Sequence, residues 1–184
     1  MLINRMQRLI IVCLLVGFPV LAKAQSIAQK ADAAMHRVFG EQAVLTKETL
    51  PIDPPMRSAV QKRSEEEVGD KVIVHKALKD GKIIGYGIVD DVRGKAQPIT
   101  YITLFHPDGK IADVEVLVYR EPYGGEVAYE SFRKQFRGKS SNSQLRVGHD
   151  IQNVAGATIS SKAITYGAKK IAVLFDELRK AGKL

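Results

Sequence analysis

The chain is predicted to be an α+β fold: a twisted antiparallel sheet, a meander, with helices packed on it and a long helix at the C-terminal end. Three observations carry this reading. Between residues 70 and 119, short apolar runs are broken by Asp-Gly turns. From 159 to 180, apolar residues recur every three or four positions. The composition, 45% hydrophobic and 26% charged over 184 residues, suits one ordinary globular domain and excludes collagen-like, low-complexity and disordered chains.

The elements follow in order. Ile27, Ala31, Ala34, Met35 and Val38 fall at helical spacing, so Ser26 to Phe39 reads as a short amphipathic helix that Gly40 ends. Leu50 to Pro55, with three prolines, reads as a connector, and Arg57 to Val68 as a polar helix. From Asp70 the period shortens. Val72 and Val74 alternate with Ile73 and His75, Asp80-Gly81-Lys82 turns the chain, and Ile83 to Val89 returns it, which makes a hairpin. Gly85-Tyr86-Gly87 lies mid-strand and lacks a third glycine, so packing or a bulge explains it better than a dinucleotide loop. Ile99 to Phe105 is a third strand. Pro107-Asp108-Gly109-Lys110 is a turn with glycine at the left-handed position, and Ile111 to Tyr119 is a fourth strand. On that strand Val114, Val116 and Val118 share one face, and Asp113, Glu115 and Leu117 the other. Glu126 to Arg137 reads as a helix and Ser140 to Ser143 as a loop. Ile164, Ala168, Ile171, Phe175 and Leu178 form one apolar stripe on the last helix, Ile159 to Lys180, which must cover a face of the sheet.

The first 24 residues read as a secretory signal peptide. Arg5 and Arg8 precede an apolar run, Leu9 to Leu21, that is short for a membrane span, and Ala22-Lys23-Ala24 has the small-x-small pattern of a cleavage site. An uncleaved membrane anchor is the alternative. Cleavage would lower the formal net charge from +8 to +5 and remove Cys13, the one cysteine. A single cysteine excludes a disulfide scaffold, a four-cysteine zinc site and an iron–sulfur cluster. The expected location is periplasmic or exported. The chain then divides into a signal peptide (1–24), an N-terminal helical extension (25–69) and one domain (70–184). The basic excess is spread along the chain without the clustered arginines and aromatics of a nucleic-acid face, so no nucleic-acid partner is expected.

Catalytic signatures are missing from the sequence. His36, His75, His106 and His149 have no metal spacing, so no metal site is expected, and no nucleophile elbow, metalloprotease helix or Walker loop occurs. One segment stands apart: Asp150-Ile151-Gln152-Asn153-Val154-Ala155-Gly156-Ala157-Thr158-Ile159-Ser160-Ser161. Gly156 and Ala157 are small enough for a ligand to come close. Thr158, Ser160 and Ser161 are hydroxyls at the start of the long helix, and Lys162 adds charge in its first turn. A helix N-terminus has unpaired N–H groups and a partial positive charge, which suit a phosphate. The alternative is that Thr158 or Ser160 merely caps the helix.

Gly-Ala-Thr-Ile-Ser after the Asp-Ile-x-x-Val run resembles the flavinylation motif of the FMN-binding domain family. That family includes the C subunit of sodium-translocating NADH:quinone reductases and the G subunit of Rnf electron-transport complexes. Glu121-Pro122-Tyr123-Gly124-Gly125-Glu126 resembles the family's Glu- and Gly-rich turn, and Phe132, Gln135-Phe136 and Gly138-Lys139 resemble the segment that follows it. The resemblance covers about residues 80–180. It implies an FMN cofactor joined by a phosphoester to Ser160, made by a flavin transferase that takes FMN from FAD. It also implies a role as electron carrier or subunit of a membrane-bound electron-transport system, with other redox proteins as partners, rather than as a stand-alone enzyme. Gly156, Ala157, Thr158, Ile159, Ser161 and Lys162 would surround the phosphate, with Glu121, Tyr123, Gly124 and Gly125 beside the ring. Tyr119 and Tyr123 are candidate ring contacts, with packing as the alternative. Two positions depart from the family pattern: Gln152 stands where an acid is usual and Ala155 where a hydroxyl is. These departures motivate the competing readings, a module that binds FMN reversibly or a flavin-free interaction protein.

Overall fold

A computed structural model describes residues 26–184. The segment read as a signal peptide, residues 1–24, lies outside the described residues. The elements are α1 (Ile27–Phe39), β1 (Val44–Pro51), α2 (Pro54–Ser64), β2 (Lys71–Lys79), β3 (Lys82–Arg93), β4 (Pro98–Phe105), β5 (Ile111–Val118), α3 (Glu130–Arg133) and α4 (Thr158–Lys180). The five strands form one antiparallel sheet in the order β1-β2-β3-β4-β5. Among the described residues no helix is long and apolar enough to cross a membrane.

The α+β meander is as expected, with one strand more. β1 escaped the sequence reading because most of it is exposed and polar (Lys47, Glu48 and Thr49 among them), without the alternation of a half-buried strand. It lies at the sheet edge, where Pro51 is tolerated because nothing beyond it needs a donor. Residues 44–51, inside the segment read as a helical extension, are therefore a strand of the same sheet. The prolines read as a connector begin α2 instead: Asp53 caps it by accepting from the Met56 amide at 2.9 Å, and Pro54 and Pro55 occupy its first turn. It ends earlier than expected, at Glu65, whose φ of 64° is left-handed.

Glu126 to Arg137 is not one helix. It consists of a 3₁₀ turn at Gly125–Ala128, the single turn α3, and a second 3₁₀ turn at Lys134–Phe136. Tyr129, extended at φ −74° and ψ 149°, interrupts the helical path. Phe132 and Phe136, four apart and both buried, imitate a helix stripe in the sequence. The C-terminal helix is found as expected, beginning at Thr158 rather than Ile159.

Two apolar clusters lie on opposite faces of the sheet. On β4, Ile99, Tyr101 and Phe105 join the α2 and α4 side, while Ile102 and Leu104 join the α1 side. Phe175 of α4 stacks on Phe105 at 4.2 Å between ring centroids and meets Tyr86 edge-on at 5.2 Å. On the other face α1 comes so close that added β-carbons would collide with it. One on Gly85 would overlap the Phe39 ring, and one on Gly87 would lie 2.6 Å from Met35 Sδ. Close packing is thus the reason for Gly85-Tyr86-Gly87. β5 is covered on both faces: Asp113 is buried, donated to by Arg133, by Arg137 at 3.2 Å and by the Val114 amide at 2.8 Å. Those pairs fasten α3 and the turn after it to the sheet edge.

Candidate functional site

The site is built where three backbone segments meet. The pairing of β3 with β4 and of β4 with β5 brings the turn at 94–97 beside residues 119–124. The loop before α4 closes the third side. Together these segments enclose a cleft of about 720 Å³. It is lined by Lys95, Ala96 and Gln97, by Arg120 to Gly124, and by Gly156 to Ser160. That volume lies within the range of ligand and cofactor sites, roughly 300–1,000 Å³.

Each wall is held in place. The Glu121 carboxylate accepts from the amides of Ala96 and Gln97 at 3.0 and 3.1 Å, which ties two walls together. Those amides and the nearby Lys95 hold its pKa below the usual glutamate value. Gly94 must be small, because a β-carbon there would overlap the Glu121 carboxylate and lie 2.8 Å from the Gln97 carbonyl. Arg120 donates to the Pro98 carbonyl at 3.0 Å. The loop before α4 is clamped from behind. Gln135 accepts from the Gln152 amide at 2.7 Å and donates to the Gln152 carbonyl at 3.4 Å. Asp150 accepts from the amides of Leu145 and Arg146 and pairs with Lys139 at 3.1 Å. Burial pushes the Asp150 pKa up, but those amides and the lysine outweigh it and bring it below the ordinary value. The Gln135 and Lys139 of the family-like segment are therefore the supports of the motif loop.

At the mouth of the cleft α4 starts from Ala157 with no side-chain cap. This overturns the capping alternative. Thr158 Oγ1 accepts from Asn153 Nδ2 at 2.9 Å, and Ser160 Oγ meets Tyr119 Oη at 2.8 Å. The first intrahelical bond in this turn runs from the Ser161 amide to Ala157, so the amides of Thr158, Ile159 and Ser160 have no partner within the helix. Ser160 lines the cleft although it is only 3% exposed.

Of the candidate residues, Gly156, Ala157, Thr158, Ile159, Ser160, Glu121, Tyr123 and Gly124 border the cleft, and three do not. Ser161 is fully buried, its Oγ accepting from the Val154 amide at 3.4 Å, because the helix turns it toward the core. Lys162 is exposed, two residues past Ser160 and so on the far side of the helix. Gly125 lies against the Tyr119 ring. Tyr119 itself is absent from the lining. Its ring packs against the main apolar cluster, as the packing alternative has it, while its hydroxyl donates to the Tyr123 carbonyl at 2.5 Å and meets Ser160. Pro122 stands in the Glu121–Glu126 turn the sequence offers, whereas Lys95, Ala96, Gln97 and Arg120 are not singled out by it. Their signal is slight: a Gly94-to-Pro98 bracket between two strands, which becomes a wall only through strand pairing.

A second cleft, of about 410 Å³, opens where β2 and β3 cease to pair and contains Lys47, His75, Asp90 and Lys170. Two of its cations are matched, Lys47 with Asp32 at 3.0 Å and Lys170 with Asp90 at 2.8 Å, while Lys71 also lines it. The α1 N-terminus beside it is closed by the Ser26–Gln29 capping box.

The fold and cleft define a helix-backed antiparallel domain with an open helix N-terminus at the end of a half-open groove, suited to a phosphate that carries a larger group. Residues 94–173 match the FMN-binding domain family, in agreement with the resemblance read from the motifs. Over 112 residues, 56% of its length, the chain is 33% identical to the G subunit of the proton-translocating ferredoxin:NAD(+) oxidoreductase complex of Clostridium ljungdahlii. Over 117 residues, 58% of its length, it is 28% identical to the G subunit of the Na(+)-translocating ferredoxin:NAD(+) oxidoreductase complex of Acetobacterium woodii. The chain covers 60% and 56% of those relatives. The crystal structure of NqrC from Shewanella oneidensis has the same fold, with a TM-score of 0.56 at 15% identity, over 83% of this chain and 99% of that one.

Proposed function

We propose that this chain is an exported electron-transfer protein that carries FMN bound by a phosphoester to Ser160, attached by a flavin transferase, and that it exchanges electrons with redox proteins of a membrane-bound complex. The observation that carries the proposal is the uncapped start of α4, with a buried hydroxyl beside it, opening on the 720 Å³ cleft. The residues fit the group. The amides of Thr158, Ile159 and Ser160 would receive the phosphate oxygens, with about 1 kcal/mol from the helix dipole. Lys95 and Arg120 add positive charge at the wall, while the Glu121 charge is taken up by two amides. Gly156, where an added β-carbon would meet nothing within 4 Å, leaves room for the ring system, and Tyr123 and Ile159, 83% and 50% exposed, stand at its rim.

When bound, FMN supplies the electron-transfer chemistry, and the protein supplies position and electrostatics. A permanent tether suits an exported carrier, since free flavin would be lost to dilution. Gln152 and Ala155, the departures from the family pattern, are exposed and outside the cleft lining, which leaves the acceptor hydroxyl untouched.

Co-expression with a flavin transferase tests the reading. The denatured chain is expected to gain the mass of one FMN less one water and to fluoresce on a gel, and Ser160→Ala to abolish both. Flavin that survives denaturation in Ser160→Ala overturns the acceptor. The low exposure of Ser160 favours one second reading, reversible FMN binding, which release of free FMN on denaturation would identify.

A further inference from the structure

A serine hydroxyl has three staggered wells to choose among. At position 160 one is selected from outside the helix, because Oγ lies 2.8 Å from Tyr119 Oη. A phenol has one hydrogen to give, and that of Tyr119 goes to the Tyr123 carbonyl at 2.5 Å. Ser160 is therefore the donor in the pair, and its oxygen keeps its lone pairs. Helical hydroxyls often turn back to the carbonyl four residues earlier, as Thr165 does with Ser161 at 2.6 Å. Ser160 instead points across to β5's end. The turn at 123–125 presses on the same pair. Gly124 has φ +89°, and a β-carbon there would lie 2.6 Å from Tyr119 Oη and 2.7 Å from Ser160 Oγ.

We propose that Tyr119 is the positioning residue for flavin attachment: by accepting the hydrogen bond of Ser160 it aims the serine lone pairs into the cleft. The proposal rests on the attachment reading above. In that step the bond from Ser160 Oγ to the phosphorus of the FMN half of FAD forms, and the bond from that phosphorus to the bridging oxygen breaks. AMP leaves with that oxygen, the serine proton passes to a basic group of the transferase, and nothing is oxidised or reduced. Tyr119, its own hydrogen held by Tyr123, orients the nucleophile and takes no proton.

The test follows mass gain of the denatured chain over time, with transferase and saturating FAD, for wild type, Y119F, S160T and Y119F/S160T. Y119F is expected to attach flavin about three- to tenfold more slowly, the effect of losing the bond to Ser160, with unchanged quenching of added FMN and a melting temperature lower by a few degrees, because the bond to the Tyr123 carbonyl goes as well. A β-branched residue at 160 restricts χ1 by itself, so removing the tyrosine hydroxyl from S160T is expected to slow attachment by less than about twofold. Equal rates for wild type and Y119F overturn the proposal, as does an equal loss in both backgrounds. No adduct on the wild-type chain overturns the attachment reading and this proposal with it. If Y119F does not fold, trifluorotyrosine placed at 119, a weaker acceptor of the same shape, decides: slower attachment supports the proposal and an unchanged rate overturns it.

Discussion

Asp150 shows how one residue of the motif region can be structural while its neighbours face the cleft. Its carboxylate accepts from two amides and pairs with Lys139, so it shapes the loop that delivers Gly156 to Ser160. Replacing it with asparagine keeps the size and removes the charge. Asp150→Asn is expected to cost about 1.5–3 kcal/mol at pH 7, as for hydrogen bonds to a charged group. The folded pKa is depressed, so this contribution is present above the unfolded value of about 3.9. It is lost as pH falls through the lower folded value. Thermal melts of both proteins between pH 7 and pH 2.5 check it: the gap between them narrows at the acid end. A gap that stays constant assigns the loss to shape rather than charge.

At the scale of elements, the two helices that cover the sheet are seated differently. α4 is held by volume, with Phe175 against Phe105 and Tyr86. α1 is held by the absence of volume, since Gly85 and Gly87 leave a groove for Phe39 and Met35. Gly87→Val is therefore expected to lift α1 from the sheet and to destabilise the protein by about 1–3 kcal/mol, the range for overpacking a core. Denaturant unfolding measures this, and proteolysis should then cut within α1 first. The apolar stripe made α4 legible from the sequence because its period of three to four residues is a property of the helix alone. β1 was illegible because an edge strand with exposed side chains has no period to show; it is a strand only because β2 pairs with it from Val44↔Leu78 to Pro51↔Lys71. The broken segment from Gly125 to Phe136 misled for the opposite reason: Phe132 and Phe136 repeat like a helix, yet what buries them is the shared core.

Across the whole molecule, both faces of the sheet need cover. A chain beginning at residue 70 would keep the region that matches the FMN-binding domain family. It would lose α1, β1 and α2, exposing the cluster around Ile102, Leu104 and Ala112 on one face and the part of the main cluster that Met56 and Val60 cover on the other, and leaving β2 as an open edge. Compared with the chain from 26 to 184, it is expected to melt lower and to aggregate, by thermal melt and gel filtration. Equal stability would make residues 26–69 a dispensable extension.

By itself the amino-acid sequence determined the α+β class, the hairpin turns, the long last helix and the motif residues from Gly156 to Ser160, because periodicity, turn chemistry and short motifs are local. Only the tertiary structure decided which residues meet at the cleft. Strand pairing carries Lys95 to Gln97 next to Glu121, and the packing of α4 on the sheet sets Ser160 against a tyrosine 41 positions earlier. Contacts between residues so far apart depend on how elements dock, and nothing in the local order of the chain records that.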